Sequence, residues 1–457
     1  MKLIISSLIA VFLAAGIVYT QKTPRPTSDP EIAKMVREVS AKNVEATIRK
    51  LVSFGTRNTL SEQDNPTRGI VAARDWIFSE FQKISSDCGG CLQVEKQTFT
   101  QAANPPPRGR YPKETVLTNV YAVLKGTTDP DRVYVVSGHY DSMCNQNATD
   151  TTCDAPGAND DASGTAVSIE LARVMSKRKF DATIIFMCVP GEEQGLTGAT
   201  YFAKDAAAKK MNIEAMLDND IVGGVTTYKN APDRQTIRVF AEGVPSNETP
   251  QEANSRRSVG GENDSPARQL GRYVVEMASV YSPTFKPMMI YRRDRYGRGG
   301  DHIPFLENGF AAVRFTETHE DYTHQHQTVK MVDGKQYGDL PEFVDFGYVA
   351  SAARINLVTL ANLALAPAKP KGVTMLTGGL TNDTSLKWDA SPDADLAGYE
   401  IVWRDTTAPL WTNSKFVGNV TTYTFKEMSK DNYFFGVRAV DKSGHKSPVV
   451  YPRPGRS

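Results

Sequence analysis

Cysteine is scarce, with five among 457 residues. That excludes a scaffold held mainly by disulfides and leaves a few local bridges of the kind exported proteins carry. Cys88 and Cys91 lie close enough for a tight bridge, and Cys144 and Cys153 flank a polar loop as a second pair. Cys188 ends an apolar run and reads as a buried free thiol. A lone Cys-X-X-Cys, with no second copy and no thioredoxin-like surroundings, argues against a zinc ribbon or a redox motif. No charge of one sign dominates: 53 Lys and Arg face 52 Asp and Glu, with no basic run. Nucleic acid is therefore not an expected partner. Beyond the N-terminus no apolar stretch reads as long enough to span a membrane. Internal repeats and low-complexity tracts are also missing.

What is present starts with an export signal. Lys2 precedes an apolar run from Leu3 to Val18 with Ala14, Ala15 and Gly16 near its end. Gln21, Lys22, Thr23 and Pro24 then stop it, short of the ~20 residues a spanning helix needs. Residues 1–20 are expected to be a signal peptide, so the protein is expected to be secreted or periplasmic, with no membrane contact after cleavage. The whole chain is 40% hydrophobic and 23% charged, which suits globular domains. Its length suggests two or three of them.

From about residue 31 to 365, strands and helices alternate. Val44, Ile48 and Leu51 repeat at helical spacing, as do Val167, Leu171 and Val174. Val116 to Lys125, Val133 to Val136, Met216 to Val222, Thr236 to Ala241 and Ala311 to Phe315 read as strands. Thr183 to Val189 is continuously apolar, the mark of a strand covered on both faces. This predicts an α/β fold with a mixed, mostly parallel sheet between helices. A short stiff linker follows at 366–371, rich in Pro and Lys. Residues 372–455 then show short alternating strands with turn residues between them, the pattern of an all-β sandwich. Every chemically suggestive residue precedes the linker. A chain ending near Pro367 is therefore expected to fold and to keep activity on small substrates.

The suggestive residues fall where strands should end, and ligands of open α/β sheets gather at carboxyl ends of strands. His139 follows an apolar run, and Asp141 is placed to fix its tautomer. Asp160 and Asp161 open a helix; one suffices as a cap, and the other is free to bridge two metals. Glu192 and Glu193 follow the buried strand, where one can bind metal and its neighbour move protons. Asp220 sits in an apolar run and needs a partner, with Asp218 as the competing choice. His319, His324 and His326 crowd one loop. Imidazoles and carboxylates without cysteine suit a catalytic rather than a structural zinc site.

Six segments appear in order: Gly138-His139-Tyr140-Asp141-Ser142, Pro156 to Gly164, Gly191-Glu192-Glu193, Asp220-Ile221-Val222-Gly223, Gly300 to Phe305, and Phe315-Thr316-Glu317 leading to Tyr322 and His326. As a set they resemble the secreted co-catalytic zinc aminopeptidase family, metallopeptidase family twenty-eight, which also contains glutamate carboxypeptidases and glutaminyl cyclases. The resemblance implies two zinc ions, one on His139, Asp160 and Asp220 and the other on Asp160, Glu193 and His326. His324 competes with His326 for the last place. Glu192 becomes the general base, Asp141 and Asp301 become supports behind the ligands, and Tyr296 becomes a phenol that steadies the transition state. Its offset from Asp301 is one residue longer than the family pattern. The implied reaction removes N-terminal residues from peptides. Carboxypeptidase action, glutaminyl cyclisation and a non-catalytic binding role are the rivals. The C-terminal residues resemble a fibronectin type III domain through Trp388, Leu396, Gly398-Tyr399, Phe435, Val437, Ala439 and Gly444, with Tyr433 as its tyrosine corner. Such a domain could contact a surface or polymer.

Overall fold

Eight strands form one mixed sheet. In spatial order they are Leu92–Gln101, Thr115–Leu124, Ala182–Val189, Asp129–His139, Asn212–Asn219, Ala312–Glu317, Thr236–Phe240 and Lys286–Ile290. The protein is seen as a computed structural model that describes residues 28–225, 227–228 and 231–455. The expected signal peptide at 1–20 lies outside the described residues. The four central strands, from Ala182–Val189 to Ala312–Glu317, run parallel, so their carboxyl ends share one edge.

Both faces of these strands are covered. Tyr134 and Val136 join one apolar cluster and Val133 and Val135 another, as strand alternation requires. The larger cluster packs helices Pro30–Glu38, Ala41–Val52, Gly69–Asp87, Ala162–Met175, Pro266–Tyr281 and Phe346–Leu365 on one face. Helices Thr197–Ala208 and His302–Glu307 cover the other. Ala182–Val189 is buried at every residue, as its unbroken apolar run predicts. Leu92–Gln101, which the sequence reading passed over, alternates exposed and covered positions because it is an edge strand. One correction concerns Phe346–Leu365. This helix is long and apolar enough to cross a membrane, contrary to the reading that no later stretch qualifies. Its apolarity has another cause: most of it is buried against the sheet and its neighbouring helices.

Cys88–Cys91 and Cys144–Cys153 are bridged, and Cys188 is free and buried. After the linker, strands Thr422–Phe425, Thr384–Lys387, Thr374–Leu376 and Arg453–Gly455 form one sheet. Strands Asn413–Gly418, Leu396–Asp405 and Tyr433–Asp441 form a second. They share a core around Trp388, Tyr399, Phe435 and Val437, which makes a β-sandwich. The hydroxyl tie assigned to Tyr433 is made by Tyr399 instead, which accepts from Ser391 N at 2.6 Å. Tyr433 packs its ring near Phe435.

The sandwich is not a loose appendage. Asp264, fully buried, pairs with Arg272 of its own half and Arg404 of the sandwich, each at 2.8 Å. Arg438 joins Glu276 at 2.7 Å across the boundary and Glu400 at 2.7 Å within the sandwich. Trp411 donates to Gln269 at 3.0 Å, and Arg272 donates to Pro409 O at 2.8 Å. Truncation near Pro367 would take Arg404 from Asp264 and Pro409 O from Arg272, while Asp264 and Arg272 keep each other. Composition marks the linker but does not show these contacts, which bear on whether the sandwich can be separated.

Candidate active site

The parallel strand ends bring the suggestive residues together. His139 ends its strand, Glu192 and Glu193 follow Ala182–Val189, Asp220 follows Asn212–Asn219, and His326 lies in the loop after Ala312–Glu317. Ligand atoms of His139, Asp160 and Asp220 fall within 4.8 Å of one another, and so do those of Asp160, Glu193 and His326. Asp160 belongs to both groups. Its Oδ1 lies 3.1 Å from His139 Nε2 and its Oδ2 2.7 Å from His326 Nε2. Glu193 Oε1 is 3.1 Å from His326 Nε2, and Asp220 Oδ1 is 3.8 Å from His139 Nε2.

The competing choices separate. Asp161 is the helix cap: its Oδ1 accepts from Gly164 N at 2.8 Å and its Oδ2 from His139 N at 3.0 Å. Asp218 turns to His302, whose Nδ1 is 3.4 Å away. His324 stacks on Phe343 with ring centroids 3.6 Å apart and faces Asp321, while His326 enters the group. His319 lies on the same loop, outside both groups. Asp141 sits 3.3 Å from His139 Nδ1 and accepts from Glu192 N and Glu193 N at 3.3 and 3.2 Å. One carboxylate thus orients a histidine and pins the loop of the two glutamates.

Two expected roles find no contact. Tyr296 is 84% exposed, and its hydroxyl accepts from Arg292 at 2.8 Å, so it does not reach the ligand atoms. Its loop holds it at the surface under the guanidinium, 3.9 Å from the ring. Asp301 is buried, yet neither of its oxygens has a hydrogen-bond partner, so it braces none of the five ligands. Burial, reinforced by Asp218 and Glu192, holds its carboxyl well above the usual range.

Other residues do the bracing. Arg314, fully buried, lies 2.8 Å from Asp220 Oδ2 and 3.3 Å from Asp294. Gln325 donates to Asp160 Oδ2 at 3.0 Å. Asp339 accepts from Asn159 N at 2.9 Å and Asp160 N at 2.7 Å. Arg57, buried, donates to Tyr140 O and Gly157 O at 2.8 Å each and steadies the loop before Asp160. Arg314 carried a readable signal, since a charge inside an apolar strand needs a partner as much as Asp220 does. Gln325 and Asp339 carried none.

The donor set fits metal ions. His139 Nε2, Glu193 Oε1 and Asp220 Oδ1 are buried without a hydrogen-bond partner, and all three belong to these groups. Buried polar atoms are rarely left so, and a coordinated cation would satisfy them. Burial alone would lower the basicity of His139, but Asp141, Asp160 and Asp220 raise it well above its ordinary value. The same carboxylates would attract a metal cation. Two imidazoles with three carboxylates and no thiolate suit zinc in a catalytic setting. Glu192 stands beside these groups. Burial, with Asp220, Glu193 and Asp160, pushes its carboxyl well above the usual range.

Comparison with known proteins agrees. Residues 119–341 match peptidase family M28. The chain is 49% identical to a probable zinc metalloprotease of Leptosphaeria maculans, over 94% of this chain and 99% of the relative. It is also 49% identical to a probable zinc metalloprotease of Pyrenophora tritici-repentis, over 96% of this chain and 90% of the relative. LapB from Legionella pneumophila shares the fold with a TM-score of 0.53 at 18% identity, covering 75% of this chain and 78% of that one. The LapA aminopeptidase of the same organism gives 0.50 at 16% identity and covers 80% of each chain. With half its residues shared along nearly their whole length with these relatives, this chain belongs to peptidase family M28, a family of zinc metalloproteases.

Proposed function

We propose that the protein is a two-zinc aminopeptidase that hydrolyses the first peptide bond of unblocked peptides. One observation carries the reading: the two ligand groups share Asp160, one oxygen toward each histidine, with Glu192 alongside and outside both. His139, Asp160 and Asp220 would hold one ion, and Asp160, Glu193 and His326 the other. Zinc held there supplies Lewis acidity, which polarises a carbonyl and acidifies water. Glu192 takes the proton of the attacking water and returns it to the departing amine. Its place beside both ligand groups, yet outside them, leaves its carboxyl free for that work. Asp141 keeps His139 in one orientation and holds the Glu192 backbone.

Acid-lined surroundings support an amino-terminal over a carboxyl-terminal substrate. Asp321 lines the cleft beside Asp160, and its carboxylate would repel a terminal carboxylate. Export through the 1–20 segment, peptide partners, a catalytic unit at 31–365 and a fibronectin type III-like module at 372–455 complete the proposal. The experiment compares free amino acid release from unblocked and N-acetylated peptides. Equal cleavage of both, or internal cleavage alone, would end the aminopeptidase reading.

A further inference from the structure

The loop from Cys144 to Cys153, closed by its disulfide, touches two other loops, and each of those carries a metal ligand. On one side Gln146 N donates to His326 O at 3.0 Å, and Gln146 Nε2 donates to Gln325 O at 3.5 Å. On the other side Ala148 O accepts from Gln194 Nε2 at 2.8 Å, and Gln194 directly follows Glu193. Asn58, fully buried, donates to the same oxygen at 3.0 Å and ties it to the interior. Ala148 and Gln194 are buried as well.

His326 and Glu193 are two of the three ligands assigned to one ion. They arrive on different loops, so their spacing depends on what lies between those loops. The turn bonds that shape the His326 stretch, from His324 N and Gln325 N to Asp321 O, stay inside it and do not fix it against Glu193. The disulfide loop reaches both. Its contact with His326 is conformationally demanding on each side, with φ 52° at Gln146 and 57° at His326. Residues other than glycine seldom take that backbone, and it persists where the surroundings dictate it. Asn145, Gln146 and Asn147 are exposed and bury little of their own, so covalent closure is what limits their freedom. Within the loop, Asn147 N donates to Cys144 O at 3.0 Å and Asp150 N to Asn147 O at 3.1 Å. Bridge and turns together present the Gln146 N–H as one unit.

The other ion's ligands are held below the bridge. Ser142 Oγ donates to Ala155 O at 2.7 Å and accepts from Arg57 N at 3.1 Å, while His139 N donates to Asp161 at 3.0 Å. None of these bonds passes through the loop tip.

We propose that the Cys144–Cys153 loop positions one ion of the pair, that of Asp160, Glu193 and His326, and not its neighbour on His139, Asp160 and Asp220. Opening the bridge thus loosens one ion selectively. The proposal rests on the two-zinc reading for the ions themselves. The hold on His326 does not depend on it.

The test strips the full chain of metal and titrates it with zinc in a calorimeter. The wild type should take two ions. Cys144→Ser combined with Cys153→Ser should keep one at wild-type affinity and bind the other at least about 10-fold more weakly, the low end for losing a partner behind a metal ligand. Cys88→Ser combined with Cys91→Ser controls for the loss of a bridge as such. That bridge lies at the opposite end of the strands, since Leu92 pairs with Leu124 and Leu124 with Ile184, and both zinc affinities should stay unchanged. Gln194→Leu removes only the tie to Ala148 O and should weaken the same ion by less. It is read alone if the Cys144, Cys153 double variant fails to fold, and an unchanged affinity then overturns the proposal. A second arm uses no metal: deuterium uptake by peptides spanning His326 should rise in the opened variant and not in the control. Two wild-type affinities in the opened variant, equal weakening of both ions, or the same weakening in the control overturns the proposal. A wild type that takes a single ion, with faster uptake around His326 in the opened variant alone, sinks the two-zinc reading and upholds the loop's hold on His326.

Discussion

Two of the buried charge clusters among the described residues differ in how their charges balance. At the boundary with the sandwich, Asp264 meets two arginines, and Arg438 meets two glutamates. At the strand ends, His139 Nε2, Glu193 Oε1 and Asp220 Oδ1 have no hydrogen-bond partner. Paired buried charge fixes one part of the fold against another. At the strand ends the carboxylates outnumber their cationic partners, and the atoms left without a hydrogen bond have room for a cation. The difference separates a structural cluster from a functional one without reference to any relative.

The largest test of that contrast is metal removal. A chelator should abolish peptidase activity, and zinc or cobalt should restore it. Full activity in metal-free protein would erase the distinction. Glu192→Gln comes next: it should keep bound metal and lose turnover by at least ~10²-fold, the low end for a general base. Glu193→Ala should instead lose metal occupancy, measured by elemental analysis, with little loss of metal-free stability. The reverse pattern would exchange the roles of the two glutamates.

The paired cluster should answer in stability rather than chemistry. Asp264→Ala leaves Arg272 and Arg404 buried together, and should cost about 3–5 kcal/mol in denaturant unfolding. A chain ending near Pro367 should be poorly soluble for the same reason. Unchanged stability in both would make the boundary pairs incidental.

The smallest expected effect lies at His445, which bonds Asp441 at 2.8 Å and Asp29 at 3.2 Å. Burial opposes its charge, but Asp441 and Asp29 raise its pKa above the ordinary value. The folded protein therefore keeps this proton where the unfolded chain has lost it. That stability is fully present below the unfolded value of ~6.5 and is lost as pH rises through the folded value. His445→Gln should flatten this part of the stability profile. An unchanged slope would show that another group titrates there.

The sheet and the ligand set were legible because both follow from local pattern. Ala182–Val189 announces burial by composition, and Asp220 stands out as an acid in an apolar run. Choices between near neighbours were not legible from the residues alone. Asp160 and Asp161 differ only in which way the chain turns them, and both are buried. His326 enters the group from a left-handed backbone, φ 57°, which no spacing foretells. Tyr296 sits at the surface, and an offset along a loop does not give the path of that loop. The contacts across the sandwich boundary carry no local signal, since Arg404 and Asp264 lie 140 residues apart.

That separation also bears on the order of assembly. A ribosome delivers Asp264 and Arg272 well before Arg404, and domains made first generally fold first. Until the last strands emerge, Asp264 has Arg272 as its only cationic partner, and Gln269 has no Trp411. The sandwich then completes the surface of helix Pro266–Tyr281, much as a second subunit would, except that it is tethered and always present. The sandwich, made last, thus covers charged groups of a helix made well before it.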